Sequence, residues 1–180
     1  MTALFYCSAN EDIDPRYNEA ARQIVRAAAS RGYRIVSGGT TKGTMRVVCD
    51  TAADCGAVVK GVLPRFMGGS GDSVKSLEHP RLTETVWTDT MSERKEAMRE
   101  GADIVIALPG GLGTMDELFE TLVLIKLGQY SAKVAALNID GFFDPLAALL
   151  DHFVNTGMLL PKDRGILQMP RSVEELIALL

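Results

Sequence analysis

The chain has 180 residues, enough for one domain with a full core. Hydrophobic residues make up 47% and charged residues 23%, a balance that excludes a disordered chain. The formal net charge is −4, and the only adjacent basic pair, Arg94–Lys95, is flanked by Glu93 and Glu96, so the basic stripe of a nucleic-acid binder is absent.

MTALFYC has no basic leading segment and runs straight into a strand pattern, ALFYC (3–7), so no secretion signal is expected. PRYNEAARQIVRAAASRG (15–32) has a helical period, with Ala20, Ile24, Ala27 and Ala28 on one stripe, Pro15 near its start and Gly32 at its end. Strand YRIVS (33–37), helix TMRVVCDTAADCG (44–56) and strand AVVKGVL (57–63) follow. PRFMGGSGDSVKSLEHPR (64–81) reads as a mobile loop of a length that is often functional. Strand and helix then alternate again: ETVWT (84–88), DTMSERKEAMREG (89–101), DIVIAL (103–108), GTMDELFETLVLIKLG (113–128) and KVAALNI (133–139). FFDPLAALLDHFVNTG (142–157) and SVEELIALL (172–180) are helical in pattern and close the chain.

Most of the strand runs lack polar alternation, which suits strands buried on both faces. Their alternation with helices predicts an α/β fold: one domain over 1–180, a doubly wound parallel sheet with helices on both faces. No apolar stretch approaches the length of a membrane span. Cys7, Cys49 and Cys55 are odd in number and lack paired spacing, which predicts small buried thiols in a reducing cytoplasm.

In open α/β sheets ligands bind beyond the carboxyl ends of the strands. Three unusual turns belong at that edge: CSAN (7–10), SGGTTKGTMR (37–46) and PGGLGT (109–114). Two glycine-rich turns on one edge point to backbone amides offered to an anion. Neither ends in the Gly-Lys-Ser/Thr of a P-loop, and Gly111-x-Gly113 is followed by Asp116 where a dinucleotide fingerprint wants Gly or Ala. TMDE (114–117) is a capping box, so Thr114 is expected to start a helix. Cap and catalyst are both open readings of Glu117 at this point. TMSE (90–93) is a second capping box, and Met91, Arg94, Lys95 and Met98 share one helical face. His79 and His152 stand alone without metal-ligand spacing and read as surface or structural residues. Ser70, in GGSGD, lacks the strand–elbow–helix context of a nucleophile.

PGGLGTMDE (109–117) matches the PGGxGTxxE signature of the LONELY GUY (LOG) family of cytokinin-activating phosphoribohydrolases, and MSERK (91–95) resembles that family's MHERK. Gly38, Gly39, Gly43 and Met45, GVLP (61–64), LG (127–128) and NIDGFF (138–143) extend the resemblance over nearly the whole chain. It implies a Rossmann-like homodimer, working without cofactor or metal. The reaction implied is cleavage of the N-glycosidic bond of AMP or an N6-modified AMP, giving free base and ribose 5-phosphate. It further implies Arg94 and Glu117 as the catalytic pair, with Gly110, Gly111, Gly113 and Thr114 at the phosphate. Ser8, Gly39, Gly43 and Lys95 would line the ligand, and Met91 would pack on the base. The chain departs from the family pattern at Ser92, Thr40, Arg46 and CSAN, positions that bear on the exact substrate. Lys42 and Arg46 add positive charge near the expected pocket mouth.

The chemistry of such a reaction suits a carboxylate. Departure of the base from C1′ develops positive charge on the sugar, which a carboxylate stabilises while it orients the attacking water. A non-catalytic nucleotide- or phosphate-binding module is the alternative reading; it needs the glycine turns but neither Arg94 nor Glu117. A lysine decarboxylase would need a Schiff-base lysine, and no lysine has a supporting context.

Overall fold

The computed structural model describes residues 1–68 and 77–180. Their strands are β1 (Thr2–Tyr6), β2 (Arg34–Ser37), β3 (Val59–Pro64), β4 (Glu84–Thr88), β5 (Ile104–Ala107), β6 (Lys133–Ala136) and β7 (Leu167–Gln168). Among the described residues these form one all-parallel sheet of seven strands, ordered β4-β3-β2-β1-β5-β6-β7. The chain winds outward from β1 to β4, returns to the other side of β1 as β5, and winds outward again. β1 therefore flanks the switch point, pairing Ala3 with Ile35 of β2 and with Ile104 of β5. A parallel sheet needs helices on both faces, and the sequence supplies them.

One face carries α1 (Pro15–Ser30), α2 (Gly43–Asp54) and α7 (Val173–Ile177). The other carries α3 (Met91–Arg99), α4 (Leu112–Lys126) and α5 (Asp144–Asn155). Alternation along β1 serves both layers: Ala3 and Phe5 join the first core, Leu4 and Tyr6 the second. α1 begins at Pro15, with the Asp14 carboxylate accepting from the Arg16 amide, and buries Ala20, Ala21, Ile24, Val25 and Ala28. Its small residues let the helix lie close to the sheet. Full burial of a side chain such as Ile24 contributes about 1.5–3 kcal/mol.

Four sequence expectations change. Short α6 (Pro161–Arg164) and two-residue β7 carry no readable pattern. α4 starts at Leu112 and not at Thr114. Cys7 and Cys49 are buried as expected, but Cys55 is exposed, because α2 ends at Asp54 and Cys55 caps it in the turn that leads into β3. The expected loop over 64–81 is partly ordered: Pro64 closes β3, Arg65–Gly68 form a 3-10 turn, and Leu77 and His79 bond back to the β2 turn. Residues 69–76, Ser70 among them, lie outside the described residues. His79 is buried with Nε2 3.2 Å from Asp50 Oδ1, and burial lowers its pKa; His152 is exposed on α5. Among the described residues no helix is long and apolar enough to cross a membrane.

Candidate active site

A cleft of about 630 Å³ opens at the carboxyl ends of the strands, beside the switch point. The turns after β1, β2 and β5 border it, as do β3, β4 and α3. A more open hollow of about 820 Å³ lies on the outer side of α3 and α4, with Glu93, Glu96, Glu100 and Glu120 in its wall. It touches none of the glycine turns, so the smaller cleft is the site.

Arg94 and Glu117 meet in the wall of the cleft. Arg94 Nη1 donates to Glu117 Oε1 at 2.8 Å, and Nε donates to the Val62 carbonyl at 3.0 Å. Arg94 is 5% exposed and Glu117 3%. Burial pushes the Glu117 pKa up, and the charge and hydrogen bond of Arg94 oppose that rise without cancelling it. Arg94 fits because Gly38 has no side chain: a Cβ there would stand 2.4 Å from Arg94 Nη2. Among the described residues Glu117 Oε2 makes no hydrogen bond, which leaves one carboxylate oxygen for other work.

The two T-x-x-E boxes behave differently. At 90–93 the threonine caps: Thr90 Oγ1 accepts from the Glu93 amide at 3.1 Å, and the Glu93 carboxylate reaches back one residue further, to the Asp89 amide at 2.9 Å. At 114–117 it does not, because the helix has already begun. Gly111 is the N-cap, without a side-chain bond, and the first ladder bond runs from the Met115 amide to the Gly111 carbonyl. The amides of the first turn, Leu112 to Thr114, are therefore free of helical partners. Thr114 Oγ1 is buried beside them with no partner among the described residues, and Glu117 turns to Arg94, a charged partner stronger than a backbone amide.

Of the other residues expected at a ligand, Ser8, Met91, Gly111, Gly113 and Thr114 line the cleft. Gly39, Gly43, Gly110 and Lys95 do not. The three glycines shape its walls by close packing, and a Cβ at Gly110 would stand 2.1 Å from Thr114 Oγ1. Lys95 faces the outer side of α4, with Nζ 2.9 Å from Asp116 Oδ1 and in contact with Glu120. Met98, on the same helix face in sequence, is core.

The sequence reading missed the apolar end of the cleft: Met45, Leu63, Met67, Leu77 and Trp87. Trp87 comes there because β4 pairs it with Leu63 at the end of the sheet. Among the described residues no group of three or more His, Cys, Asp or Glu is placed to hold a metal ion.

The sheet order, and a cleft at its switch point, define a Rossmann-like α/β protein. Residues 45–180 match the family model described as "Possible lysine decarboxylase". A probable cytokinin riboside 5′-monophosphate phosphoribohydrolase of Oryza sativa subsp. japonica, LOGL1, is 34% identical over 172 residues, which is 96% of this chain and 75% of that protein. The cytokinin riboside 5′-monophosphate phosphoribohydrolase of Rhodococcoides fascians is 32% identical, over 96% of this chain and 85% of that protein. The Arabidopsis thaliana enzyme LOG2, of the same name, is 30% identical, over 97% of this chain and 80% of its own. The chain belongs to the LOG family. Among solved structures, the molybdenum cofactor binding protein of Rippkaea orientalis superposes with a TM-score of 0.71 at 21% identity, covering 99% of this chain and 94% of that one. The molybdenum cofactor carrier protein of Chlamydomonas reinhardtii gives 0.72 at 18% identity, with the same coverage. At these identities the likeness is one of fold.

Proposed function

We propose that the chain is a phosphoribohydrolase that cleaves the N-glycosidic bond of AMP or an N6-modified AMP, releasing the base and ribose 5-phosphate. The observation that carries this reading is the buried Arg94–Glu117 pair in the wall of the cleft. A buried carboxylate held by one guanidinium is a costly arrangement if its only task is stability. The names of the relatives agree with it.

The 5′-phosphate sits on the first-turn amides of α4, at Gly111, Gly113 and Thr114, with Ser8 across the cleft. The free amides, the positive helix end and the unpartnered Thr114 hydroxyl support this placement. The base points toward Met91, at the apolar end of the cleft. Glu117 then faces the ribose between them. Water adds its hydroxyl to C1′, the bond from C1′ to the base nitrogen breaks, and the base leaves with the bonding electrons and takes up a proton. The Glu117 carboxylate stabilises positive charge on the sugar and receives the proton of the attacking water, and that proton passes on, through solvent, to balance the one the base takes up. Arg94 keeps that carboxylate ionised and aimed.

We place the chain in a homodimer. Of the 15 residues of α4 only Thr114, Glu117, Leu118 and Thr121 are buried, although most of the helix is apolar, and Val123 and Leu127 stand 50% and 62% exposed. An exposed apolar stretch at the far end of a helix whose other side carries Asp116, Glu117 and Glu120 is a surface that a partner covers. Light scattering during size exclusion measures this directly; a monomer at micromolar concentration overturns it.

The main experiment incubates the protein with a panel of nucleoside monophosphates and separates released bases by chromatography. Adenine or an N6-substituted adenine is the expected product. Tight binding of these nucleotides without release of any base moves the chain to the binding-module reading.

A further inference from the structure

The Arg94–Glu117 pair has a twin one residue along each helix. Lys95 follows Arg94 on α3, and Asp116 precedes Glu117 on α4. Lys95 Nζ pairs with Asp116 Oδ1 at 2.9 Å and with Glu120. One turn further along α3, Arg99 Nη2 reaches Glu120 Oε1 at 2.6 Å. The two cations are buried, while the Glu120 and Asp116 side chains are 32% and 55% exposed, so the pairs are sheltered on the cation side and open to solvent on the carboxylate side. None of the four residues lines the cleft. One ion pair thus crosses the seam between α3 and α4 into the cleft, and a cluster crosses the same seam on its outer side.

The rest of α4 is held differently. Thr121 Oγ1 donates to the Glu117 carbonyl at 2.8 Å and pairs with the buried Tyr6 hydroxyl at 2.9 Å, which pegs the Glu117 backbone to β1. That peg ties α4 to the sheet, while its spacing from α3 rests on Met98 and Leu118 sharing one core and on the ion pairs that cross the seam. Besides the Arg94–Glu117 bond itself, the residues that span this spacing with charged, directional bonds are Lys95, Arg99, Asp116 and Glu120.

We propose that Lys95 is a positioning residue: its cluster with Asp116, Glu120 and Arg99 sets α3 against α4, so that Arg94 stays on Glu117, and it does so without touching substrate. The proposal rests on the reading of Arg94 and Glu117 as the reacting pair. The groups facing Glu117 are Arg94 and Lys95 from α3, Tyr6 and Cys7 from β1 and its turn, and Asp116 on its own helix. Only Arg94 bonds its carboxylate. If the seam loosens, burial acts on Glu117 with less opposition, and its carboxyl holds its proton to higher pH.

Lys95→Met and Lys95→Arg are the test, with Glu120→Gln as a second route to the same seam. Lys95→Met is expected to lower kcat by about 10–100-fold, the scale of a small misplacement in an active site, with KM for AMP unchanged. The acid limb of its kcat profile moves to higher pH, and Lys95→Arg restores both. Carbon-detected NMR titration of the Glu117 carboxyl, identified by its loss in Glu117→Gln, is expected to show a rise without any substrate. The rise is expected in Lys95→Met, where loss of the Lys95 charge adds to it, and also in Glu120→Gln, where that charge remains. A rise in Lys95→Met alone is a direct charge effect and overturns the proposal. A raised KM with an unmoved acid limb and unmoved titration puts Lys95 on the ligand and overturns the proposal. So does a variant with no change in kcat or titration. If Lys95→Met does not fold, the same measurements on Glu120→Gln decide it. If the native chain cleaves no nucleotide, the functional reading fails, while the carboxyl titration still tests the clamp.

Discussion

Two glycine-rich turns open on the cleft, and glycine has a different job in each. Before α2 the protein itself demands glycine. Gly39 and Gly43 have φ of +72° and +54°, and a Cβ at Gly43 would lie 2.5 Å from the Asn10 carbonyl oxygen. Before α4 the demand is absent at two positions. A Cβ at Gly111 or Gly113 would meet nothing within 4 Å, and neither has positive φ. Glycine that neither packing nor conformation requires leaves bare amides facing open space, which is what a ligand approaching the backbone needs. The first turn is built for the fold, and the second has room left over.

The largest expected effect lies at the end of the second turn. Glu117→Gln keeps the shape and can still accept from Arg94, but it cannot stabilise positive charge or take a proton. Base release is expected to fall by about 10²–10⁴-fold. The buried Arg94 guanidinium left without its anion also lowers the urea midpoint, so activity is compared on denaturant-free, folded protein checked by circular dichroism. Activity surviving within tenfold would show that α4 supplies only the anion site. On the first turn the matching substitution is Gly43→Ala. The left-handed backbone alone costs about 1–3 kcal/mol, and the clash with the turn after β1 adds to it. Urea unfolding should register that loss, and an unchanged midpoint would remove the contrast between the turns.

A smaller effect, opposite in sign, is expected at Gly113→Ala. Gly113 is inside the first turn of α4, where alanine is favoured by about 0.5–1 kcal/mol. Stability should rise slightly while KM for the nucleotide increases, because the added methyl group stands where the proposed phosphate site opens. Thr114→Val sharpens the same point by removing a buried hydroxyl that has no partner. Its stability should hold or improve as affinity for inorganic phosphate falls, by isothermal titration. A stability loss in Thr114→Val would mean that the hydroxyl serves the fold.

How far the sequence could be read follows from the same physics. β1, β3 and β5 are legible as apolar runs because helices cover both of their faces. β7 is two residues placed by pairing with β6, and has no period of its own. TMSE and TMDE are the same local pattern, yet only the first becomes a cap, because α4 begins at Leu112 and places Thr114 inside the helix, while Glu117 meets a buried guanidinium from another helix. That contact is long-range, and only the family motif pointed to it. Trp87 gave no signal either, since its place in the cleft follows from strand register. Local periodicity therefore marks the layers, while the site depends on which turns the switch point brings together.

The finest test of the contrast between fold and function is the pH dependence of stability. The Glu117 carboxyl is raised above its usual 4.5, so between that value and its raised one the folded chain holds a proton that the unfolded chain has released. Stability should therefore climb as pH falls through this window, and the cost of the buried charge is fully present above it. Glu120 behaves the other way. Burial works against its charge, but Lys95 and Arg99 outweigh burial and lower its pKa. Its contribution is present above 4.5 and is lost as pH falls through the lowered value. Urea midpoints measured across the acid range should thus show two slopes of opposite sign. Glu117→Gln should remove the climb of stability as pH falls above 4.5, a climb that buried His79, with its lowered pKa, partly opposes below 6.5. Glu120→Gln should only shallow the slope below 4.5, because Asp14, Asp144 and Glu174 are lowered as well and share it. An upper slope that survives Glu117→Gln belongs to another group, and Glu117 would then no longer be the carboxylate held charged against the preference of the fold. If the slope disappears, α4 carries both kinds of residue within one turn: Glu120, whose charge the fold uses, and Glu117, whose charge the fold tolerates for the reaction.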